Sequence, residues 1–246
     1  KNGNENVVLG DGGSYVVDKD AGTVTVQTHD QVVAVESDPD ERETITIYGG
    51  QNTVMGGVAG DKIEIFGADN IVLGDGGKSI REWNEVDEVY DSIKSVETTD
   101  DENGGVDTIN IHGGKNAVMG GAENDKITIG DANSDNDSED DSKNGNENVV
   151  LGDGGSYVVD EENGEVTVQT SRDVDDEGNV VIHGGKDSIK IHGGQNTVMG
   201  GTEGDEIDIF GADNIVLGDG GKSVREWNAN NEVYGSIKSV ETTDNE

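Results

Sequence analysis

Aspartates that lie in glycine turns at regular intervals are the residues of this sequence best suited to chemistry. Gly56 and Gly74 are 18 residues apart, and Asp61 and Asp75 lie in the same two turns. If 18 residues return the chain to the same edge of a fold, these two carboxylates come close together beside glycine carbonyls that no Cβ shields. Ca²⁺ binds roughly six to eight oxygens of these kinds, so the spacing predicts a calcium site.

The same arrangement recurs along the chain. We expect Asp205 to pair with Asp219 and Asp125 to pair with Asp153, whereas Asp11 would need a partner that precedes it. The candidate calcium ligands are Asp11, Asp61, Asp75, Asp125, Asp153, Asp205 and Asp219, with Gly56, Gly74, Gly200 and Gly218. The alternative is that each aspartate caps its own turn by accepting hydrogen bonds from backbone N–H groups.

The opposite edge carries amides where the first edge carries carboxylates. The spacing stacks Asn52 over Asn70 and Asn196 over Asn214. Such amide ladders can hydrogen-bond along a stack of strands without metal. We therefore expect an asymmetric fold with metal mainly at one edge. Two further ligand candidates next to the asparagines are Asp69 and Asp213.

Very short repeating elements must position these side chains. Polar residues recur every nine positions, as at Glu43, Asn52, Asp61 and Asn70, and a β-branched residue follows two positions after each. Nine residues are too few for a helix and its connection, and the D-x-I-x-I pattern alternates with a period of two. The predicted fold is all-β, a parallel β-roll or β-solenoid of nonapeptide repeats with inserted β-hairpins and a core of stacked Ile and Val columns.

The nonads are organised into two tandem units. Residues 1–18 recur identically at 143–160, and residues 65–79 recur at 209–223. The first unit spans 1–142, with sub-repeats at about 6–69 and 70–142, and the second spans 143–246, with sub-repeats at 148–213 and 214–246. Because Lys1 does not begin a signal peptide and the chain stops within a repeat, we expect a segment of a longer protein whose targeting region is missing.

The nonad rhythm breaks after each V-L-G-D-G-G turn. Residues 14–28 and 156–170 are typical of hairpins, and residues 79–99 and 223–243 of a second hairpin type. The apolar residues that directly follow the inward valines, and so should point outward, are Met55, Leu73, Met119, Leu151, Met199 and Leu217. An outward apolar column on such an acidic protein needs a cover. We expect the hairpins to supply it, and a neighbouring molecule is the alternative.

Three turns resemble the nonapeptide G-G-x-G-x-D-x-U-x of the repeat-in-toxin (RTX) calcium-binding family, in which U is a large apolar residue. They are GGVAGDKIE at 56–64, GGAENDKIT at 120–128 and GGTEGDEID at 200–208. The V-E-T-T-D segment followed by a D-T-I strand is also similar to the tandem RTX-type blocks of very long bacterial secreted and surface proteins. The resemblance covers about half of the chain and implies a calcium-binding β-roll.

Composition excludes several classes of function. The 54 acidic and 16 basic residues give a net charge of −38, and cysteine is absent. Nucleic-acid binding needs Lys and Arg, and a chain without cysteine has no disulfides or thiolate sites. No run approaches about 18 apolar residues, so we expect no membrane-spanning helix. High charge with few aromatics is typical of disorder, whereas the nonad pattern indicates order that depends on cations.

Two remaining features have ordinary explanations. The acidic segment 131–148 lacks the spacing of an EF-hand loop and is expected to be a solvated loop. His112, His183 and His192 precede glycine turns at the position that Tyr48 holds elsewhere. We therefore expect these histidines to pack turns rather than to bind ligands.

We expect a calcium-binding, calcium-stabilised structural segment of a long secreted or cell-surface protein, acting as a stalk, adhesin or filament and not as an enzyme. Its expected partners are calcium ions and neighbouring repeats or copies that contact the Met/Leu column. The alternatives are a calcium-triggered secretion or folding module of a toxin or hydrolase, and a polysaccharide-active β-helix enzyme. A halophilic origin could also account for the acidity.

Overall fold

The computed structural model describes residues 5–10, 12–28, 43–85, 89–98, 104–131, 145–171, 173–174, 180–181, 184–228 and 233–242. These residues form an all-β fold without helices, in which several sheets contain parallel strands. Within them there is accordingly no helix long and apolar enough to cross a membrane. Asp11, His183 and most of the 131–148 segment lie outside the described residues.

A parallel sheet of seven strands forms the central layer. In spatial order its strands are β1 (Val7–Leu9), β5 (Thr53–Met55), β7 (Ile71–Leu73), β11 (Ala117–Met119), β13 (Val149–Leu151), β19 (Thr197–Gly201) and β21 (Ile215–Asp219). Ile71, Val72 and Leu73 are all fully buried. Because consecutive strand residues point to opposite faces, both faces of this sheet are covered.

A second parallel sheet packs on one face of the central sheet. Its strands, in spatial order, are β4 (Thr44–Tyr48), β6 (Lys62–Phe66), β10 (Thr108–Ile111), β12 (Lys126–Ile129), β18 (Ser188–Ile191) and β20 (Glu206–Ile209). Its inward isoleucines and the central valines form one buried core. Ile45 pairs with Ile63 in this sheet, and Val54 pairs with Val72 in the central one. The predicted Ile and Val columns are therefore confirmed.

An antiparallel sheet of hairpins covers the other face of the central sheet. Its strands are β2 (Gly13–Asp18), β3 (Thr23–Thr28), β8 (Gly77–Asn84), β9 (Val89–Thr98), β14 (Gly155–Asp160), β15 (Glu165–Thr170), β22 (Gly221–Asn228) and β23 (Val233–Thr242). Met119 and Leu73 are fully buried in a cluster with Val26, Val96 and Val168 of the hairpins. The expectation that the hairpins cover the Met/Leu column is confirmed. A separate small ribbon pairs β16 (Asp173–Val174) with β17 (Val180–Val181).

The three large sheets share the same structural repeat of four strands. Four strand steps separate β1 from its copy β13 in the central sheet, β4 from β18 in the second parallel sheet, and β2 from β14 in the hairpin sheet. The chain leaves the parallel sheets to form each hairpin, and it re-enters them at the next strand position in the stack. Ile63 therefore pairs with Ile109, which is 46 residues away, and the register of the cores continues past the hairpins.

Candidate functional site

Five aspartates stack along one edge of the second parallel sheet. This aspartate column consists of Asp61, Asp107, Asp125, Asp187 and Asp205, each directly before a strand of that sheet. The backbone N–H of Asp61 donates to Oδ1 of Asp107 at 2.6 Å, and that of Asp107 to Oδ1 of Asp125 at 2.8 Å. The bonds from Asp125 to Asp187 and from Asp187 to Asp205 are 2.8 and 2.9 Å long. One oxygen of each carboxylate is thus fixed by the backbone.

The second carboxylate oxygen has a different environment. In the described part of the chain, Oδ2 of Asp107, Asp125, Asp187 and Asp205 is buried and has no hydrogen-bond partner. Each of these oxygens lies against a glycine of the central sheet's turns. A Cβ on Gly74 would lie 2.0 Å from Asp107 Oδ2 and 2.3 Å from the carbonyl oxygen of Gly120. Only glycine leaves this space for a carboxylate oxygen and a carbonyl oxygen side by side.

Burial and mutual repulsion raise the pKa of these carboxyl groups. Burial, followed by the charge of Asp75, raises the pKa of Asp107 to about 9. Burial, followed by the charge of Asp107, raises the pKa of Asp125 to about 10. Burial chiefly raises the pKa of Asp187 to about 8, and the charge of Asp153 adds to the effect. A column of ionised carboxylates at this spacing is therefore costly unless protons or cations neutralise it.

Two further aspartates, from the glycine turns after β7 and β13, face the column. Asp75 Oδ1 accepts a hydrogen bond from the Gly105 N–H at 3.0 Å, and its Oδ2 accepts one from the Ala122 N–H at 2.6 Å. Asp153 occupies the equivalent position, and its carboxylate accepts hydrogen bonds from the Gly185 N–H and from the Thr202 N–H and hydroxyl. Both side chains therefore cap turns and at the same time place a carboxylate beside the column.

The sequence-predicted site residues lie in this arrangement and have further partners there. The sequence pairs Asp61 with Asp75, and the backbone N–H of Asp61 donates to Asp107. The charge of Asp75 acts on Asp107 and Asp125. The sequence pairs Asp125 with Asp153, and the charge of Asp153 acts on Asp187.

The remaining predicted ligands lie at or near the ends of the column. The charge of Asp219 acts on Asp205, as the sequence pairing proposes, although Asp219 is exposed. A Cβ on Gly56 would lie 2.2 Å from Asp61 Oδ2. A Cβ on Gly200 would lie 2.0 Å from Asp205 Oδ2 and 2.1 Å from the Gly218 carbonyl oxygen. Asp69 and Asp213, both exposed with φ of 61°, lie beside the opposite edge.

Sequence reasoning missed Asp107 and Asp187 as site residues. Both belong to the nine-residue series that contains Asp125 and Asp205, so the periodic signal was available. The predicted ligand pairs instead follow the 18-residue step, which the hairpins interrupt. The signal that identifies Asp107 and Asp187 is that each directly precedes a strand of the second parallel sheet, when the strands are counted in spatial order across the hairpins.

The opposite edge holds the predicted amide ladder. Asn52 Nδ2 donates to Asn70 Oδ1 at 2.8 Å, and Asn70 Nδ2 donates to Asn116 Oδ1 at 2.9 Å. The ladder continues through Asn148 and Asn196 to Asn214. Each amide is neutral and both supplies and accepts hydrogen bonds, so this edge closes without an ion.

The two described histidines behave as turn-packing residues. Tyr48 stacks on Phe66 with ring centroids 4.8 Å apart, and Phe66 stacks on His112 at 4.4 Å. His192 stacks on Phe210 at 4.8 Å. These rings form two aromatic stacks, one of Tyr48, Phe66 and His112 and one of His192 and Phe210, at the ends of strands of the second parallel sheet.

The oxygens of the aspartate column match the ligand preference of Ca²⁺ in kind, since they combine carboxylates with glycine carbonyls. No group of three or more His, Cys, Asp or Glu side chains in the described ranges is arranged to hold a metal ion. An ion here would therefore have to draw on backbone carbonyls together with one or two carboxylates. No protein-family model matches this chain, and no curated protein or solved structure matches it either.

Proposed function

We propose that this chain is a calcium-binding, calcium-stabilised structural segment of a long secreted or cell-surface protein, which serves as a stalk, adhesin or filament. In this proposal the two parallel sheets are opposite walls of an RTX-type β-roll. The hairpin sheet is an external cover that stiffens it. The role is mechanical, because neutral and apolar stacks run through the described parts of the parallel sheets and the buried aspartates lie at one edge.

The difference between the two edges is the observation that carries this proposal. The asparagine edge satisfies its polar groups internally. The aspartate edge buries carboxylates such as Asp107 and Asp125, each with an oxygen that accepts no hydrogen bond. A purely structural ladder would be better served by asparagine at both edges, since an uncompensated buried charge is strongly destabilising. Carboxylates at these positions favour a cation as the compensating partner.

Two pairs of aspartates are the best candidates to hold such ions together with backbone carbonyls. The first pair is Asp75 and Asp107, where the charge of Asp75 helps to raise the pKa of Asp107. The second pair is Asp153 and Asp187, where the charge of Asp153 helps to raise the pKa of Asp187. Two neighbouring carboxylates resist being ionised together unless a proton or a cation lies between them. Bound Ca²⁺ would supply positive charge there and link successive strands of the stack.

A metal-free structural segment is the second candidate. It is favoured by the hydrogen bonds from backbone N–H groups to Oδ1, such as that of Asp107 to Asp125 at 2.8 Å, which resemble the asparagine ladder. In this case protons neutralise the column, as the raised pKa values of Asp107 and Asp125 indicate. Calcium would then be dispensable for folding at neutral pH.

Isothermal titration calorimetry with CaCl₂ in two buffers of different ionisation enthalpy separates the two candidates. We expect saturable binding accompanied by proton release, because carboxyl groups must lose their protons when the ion binds. Binding too weak to measure in both buffers would reject the calcium proposal and leave the proton-neutralised ladder. Binding that is strong and releases no protons would show that the ions occupy exposed carboxylates instead of the column.

A further inference from the structure

A cavity of about 250 Å³ opens at the asparagine edge, between the central sheet and the hairpin sheet. Its volume is close to the lower end of the range for ligand pockets, roughly 300–1,000 Å³. The hairpin β14–β15 has two strands of six residues, whereas the hairpins on either side of it, β8–β9 and β22–β23, have strands of eight and ten residues. The cavity lies where the short hairpin ends between the two long ones.

Three aromatic side chains line this cavity. They are Tyr157, Trp227 and Tyr234. The ring centroids of Trp227 and Tyr234 lie 5.7 Å apart with an interplanar angle of 59°, and Tyr234 forms a hydrogen bond with the side chain of Tyr157. Arg225 lies over Tyr234, with its Cζ 5.0 Å from the ring centroid. Because these contacts fix the orientation of the rings, the cavity has a preorganised aromatic surface.

Charged side chains of both signs line the same cavity. Asp69, Lys115 and Glu147 each stand two residues before a strand of the central sheet, and the three strands are neighbours. The charges of Lys115 and Arg81 act on the Asp69 carboxyl. Lys115 Nζ lies 3.9 Å from Glu147 Oε2, which is too far for a direct hydrogen bond. A hydroxyl group placed between them can therefore bond to both, as a bridging water does.

This mixture of charges selects the chemistry of a ligand. A cation in the cavity would lie close to the ammonium group of Lys115, and an anion would lie close to the carboxylates of Asp69 and Glu147, so like charges disfavour both. A hydroxyl group donates one hydrogen bond and accepts others, and it therefore suits carboxylates and an ammonium group side by side. A sugar ring combines such hydroxyls with an apolar face that can pack on aromatic rings.

We propose that this cavity binds one neutral hexose unit of a glycan. Trp227 and Tyr234 contact the apolar face of the sugar ring, and Asp69, Lys115 and Glu147 bind its hydroxyl groups. A second cavity of about 490 Å³ shares these three charged residues and leaves room for a neighbouring sugar unit. The inference gives a ligand to the adhesin role of the proposed function and rests on that role, whereas the site lies at the edge opposite the aspartate column.

Nuclear magnetic resonance of the two tryptophan indole groups tests this proposal. The chain contains only Trp83 and Trp227, of which Trp227 lines the cavity and Trp83 does not. A Trp83→Phe variant assigns the two indole ¹H–¹⁵N signals. The probes are D-glucose, D-galactose, D-mannose and N-acetyl-D-glucosamine, added under ionic conditions in which circular dichroism shows the chain to be folded.

At least one of these sugars should shift the Trp227 signal saturably and leave the Trp83 signal unchanged. We expect a dissociation constant of about 1–10 mM, because so small a ligand makes few contacts. The absence of a saturable shift with all four sugars at up to about 50 mM would overturn the proposal. Equal shifts of both indole signals would overturn it as well, since they would show a general effect of sugar on the solution.

A matched pair of substitutions locates the site. Asp69 and Asp213 both lie in a G-A-D-N turn and are exposed with φ of 61°, but of the two only Asp69 lines the cavity. Asp69→Asn removes an oxygen that accepts hydrogen bonds from sugar hydroxyls and should weaken binding about tenfold. Asp213→Asn should leave binding unchanged. Asparagine tolerates the left-handed conformation, so both variants should fold. An equal loss in both variants, or no loss in Asp69→Asn, would contradict the proposed site.

Failure of this inference can be told apart from failure of the calcium proposal. Asp107→Asn/Asp125→Asn, at the opposite edge, should keep the sugar-dependent shift, and Asp69→Asn should keep the response of the melting temperature to Ca²⁺. A chain that responds to Ca²⁺ but shows no sugar-dependent shift would reject the hexose site alone. A saturable shift in a chain indifferent to Ca²⁺ would support the hexose site and reject only the calcium proposal.

Discussion

Replacing two carboxyls of the aspartate column by amides is expected to remove the chain's need for a cation. Asp107 is fully buried and Asp125 is 2% exposed. In the Asp107→Asn/Asp125→Asn variant, each asparagine Oδ1 can keep the hydrogen bond that the aspartate accepts. The donors are the backbone N–H of Asp61 for position 107 and the backbone N–H of residue 107 for position 125. The variant should resemble the opposite edge, where Asn70 and Asn116 stack without an ion.

The magnitude follows from the pKa of these carboxyls. A buried carboxyl whose pKa is about 9, as for Asp107, must hold its proton in the folded chain at pH 7, whereas the same group ionises when the chain unfolds. The gap between pH 7 and the ordinary pKa of 3.8, at about 1.4 kcal/mol per pH unit, sets an upper limit of about 4 kcal/mol for each such group. Allowing for imperfect amide hydrogen bonds, we expect each substitution to stabilise the metal-free chain by about 1–3 kcal/mol.

Urea unfolding in EGTA at pH 7, followed by circular dichroism, measures this effect. The double variant should have a higher midpoint than the unmodified chain, and excess Ca²⁺ should raise the variant's midpoint much less. Asp20→Asn/Asp208→Asn removes the same charge from exposed positions and should leave both the midpoint and the calcium response nearly unchanged. A column variant less stable than the unmodified chain in EGTA would refute the electrostatic reasoning.

Three further expectations follow from the same structure. The metal-free chain should gain stability as pH falls, because the column carboxyls bind protons more tightly in the folded chain. The pKa values of Asp107, Asp125 and Asp187 are raised to about 9, 10 and 8. The stabilisation that their protonation gives to the folded chain is complete below pH ~3.8 and is lost as pH rises through ~8–10. Thermal melts in EGTA from pH 4 to 9 check this, and a melting temperature that rises with pH would contradict it. Asn116→Asp should destabilise the chain by about 2–4 kcal/mol at neutral pH, since it places a buried charge where Nδ2 donates to Asn148 Oδ1 at 2.8 Å and to Gly113 O at 2.9 Å; urea unfolding should show a smaller loss at pH 4, and an equal loss at both pH values would count against a charge effect. Met119→Ala should lower the free energy of unfolding by about 2–4 kcal/mol, because it leaves a cavity beneath the hairpin sheet. Urea unfolding measures this loss, with Val158→Ala at an exposed position as the control. A loss no larger than that of the control would show that the hairpins do not pack on the Met/Leu column.

The sequence predicts the repeating parts of the fold because a strict period leaves few alternatives. The nine-residue series indicates which residues stack, and Val54 over Val72 and Asn52 over Asn70 lie in register. The apolar column at Met119 is recognisable because strand alternation places it opposite the valine core. In both cases the relevant distances along the chain are short and set by the repeat itself.

The partners across the hairpins could not be predicted in the same way. The N–H of Asp61 bonds Asp107, 46 residues away, since the intervening hairpin returns the chain to the next strand position. No local pattern shows how far a hairpin displaces the register. Nor does it show that Asp75 reaches the backbone at Gly105 and Ala122. These contacts depend on how the hairpins assemble into one continuous sheet, which is a property of long-range pairing.

Thermal unfolding by far-ultraviolet circular dichroism, in EGTA and then in excess Ca²⁺ at pH 7, tests the proposed calcium dependence most directly. An ion that binds only the folded chain stabilises it by about 2.7 kcal/mol for each site when its concentration is 100 times the dissociation constant. We expect a folded chain with a low melting temperature in EGTA, and a melting temperature that rises with the concentration of added Ca²⁺. An identical β-sheet signal and melting temperature in both solutions would contradict a calcium-stabilised fold.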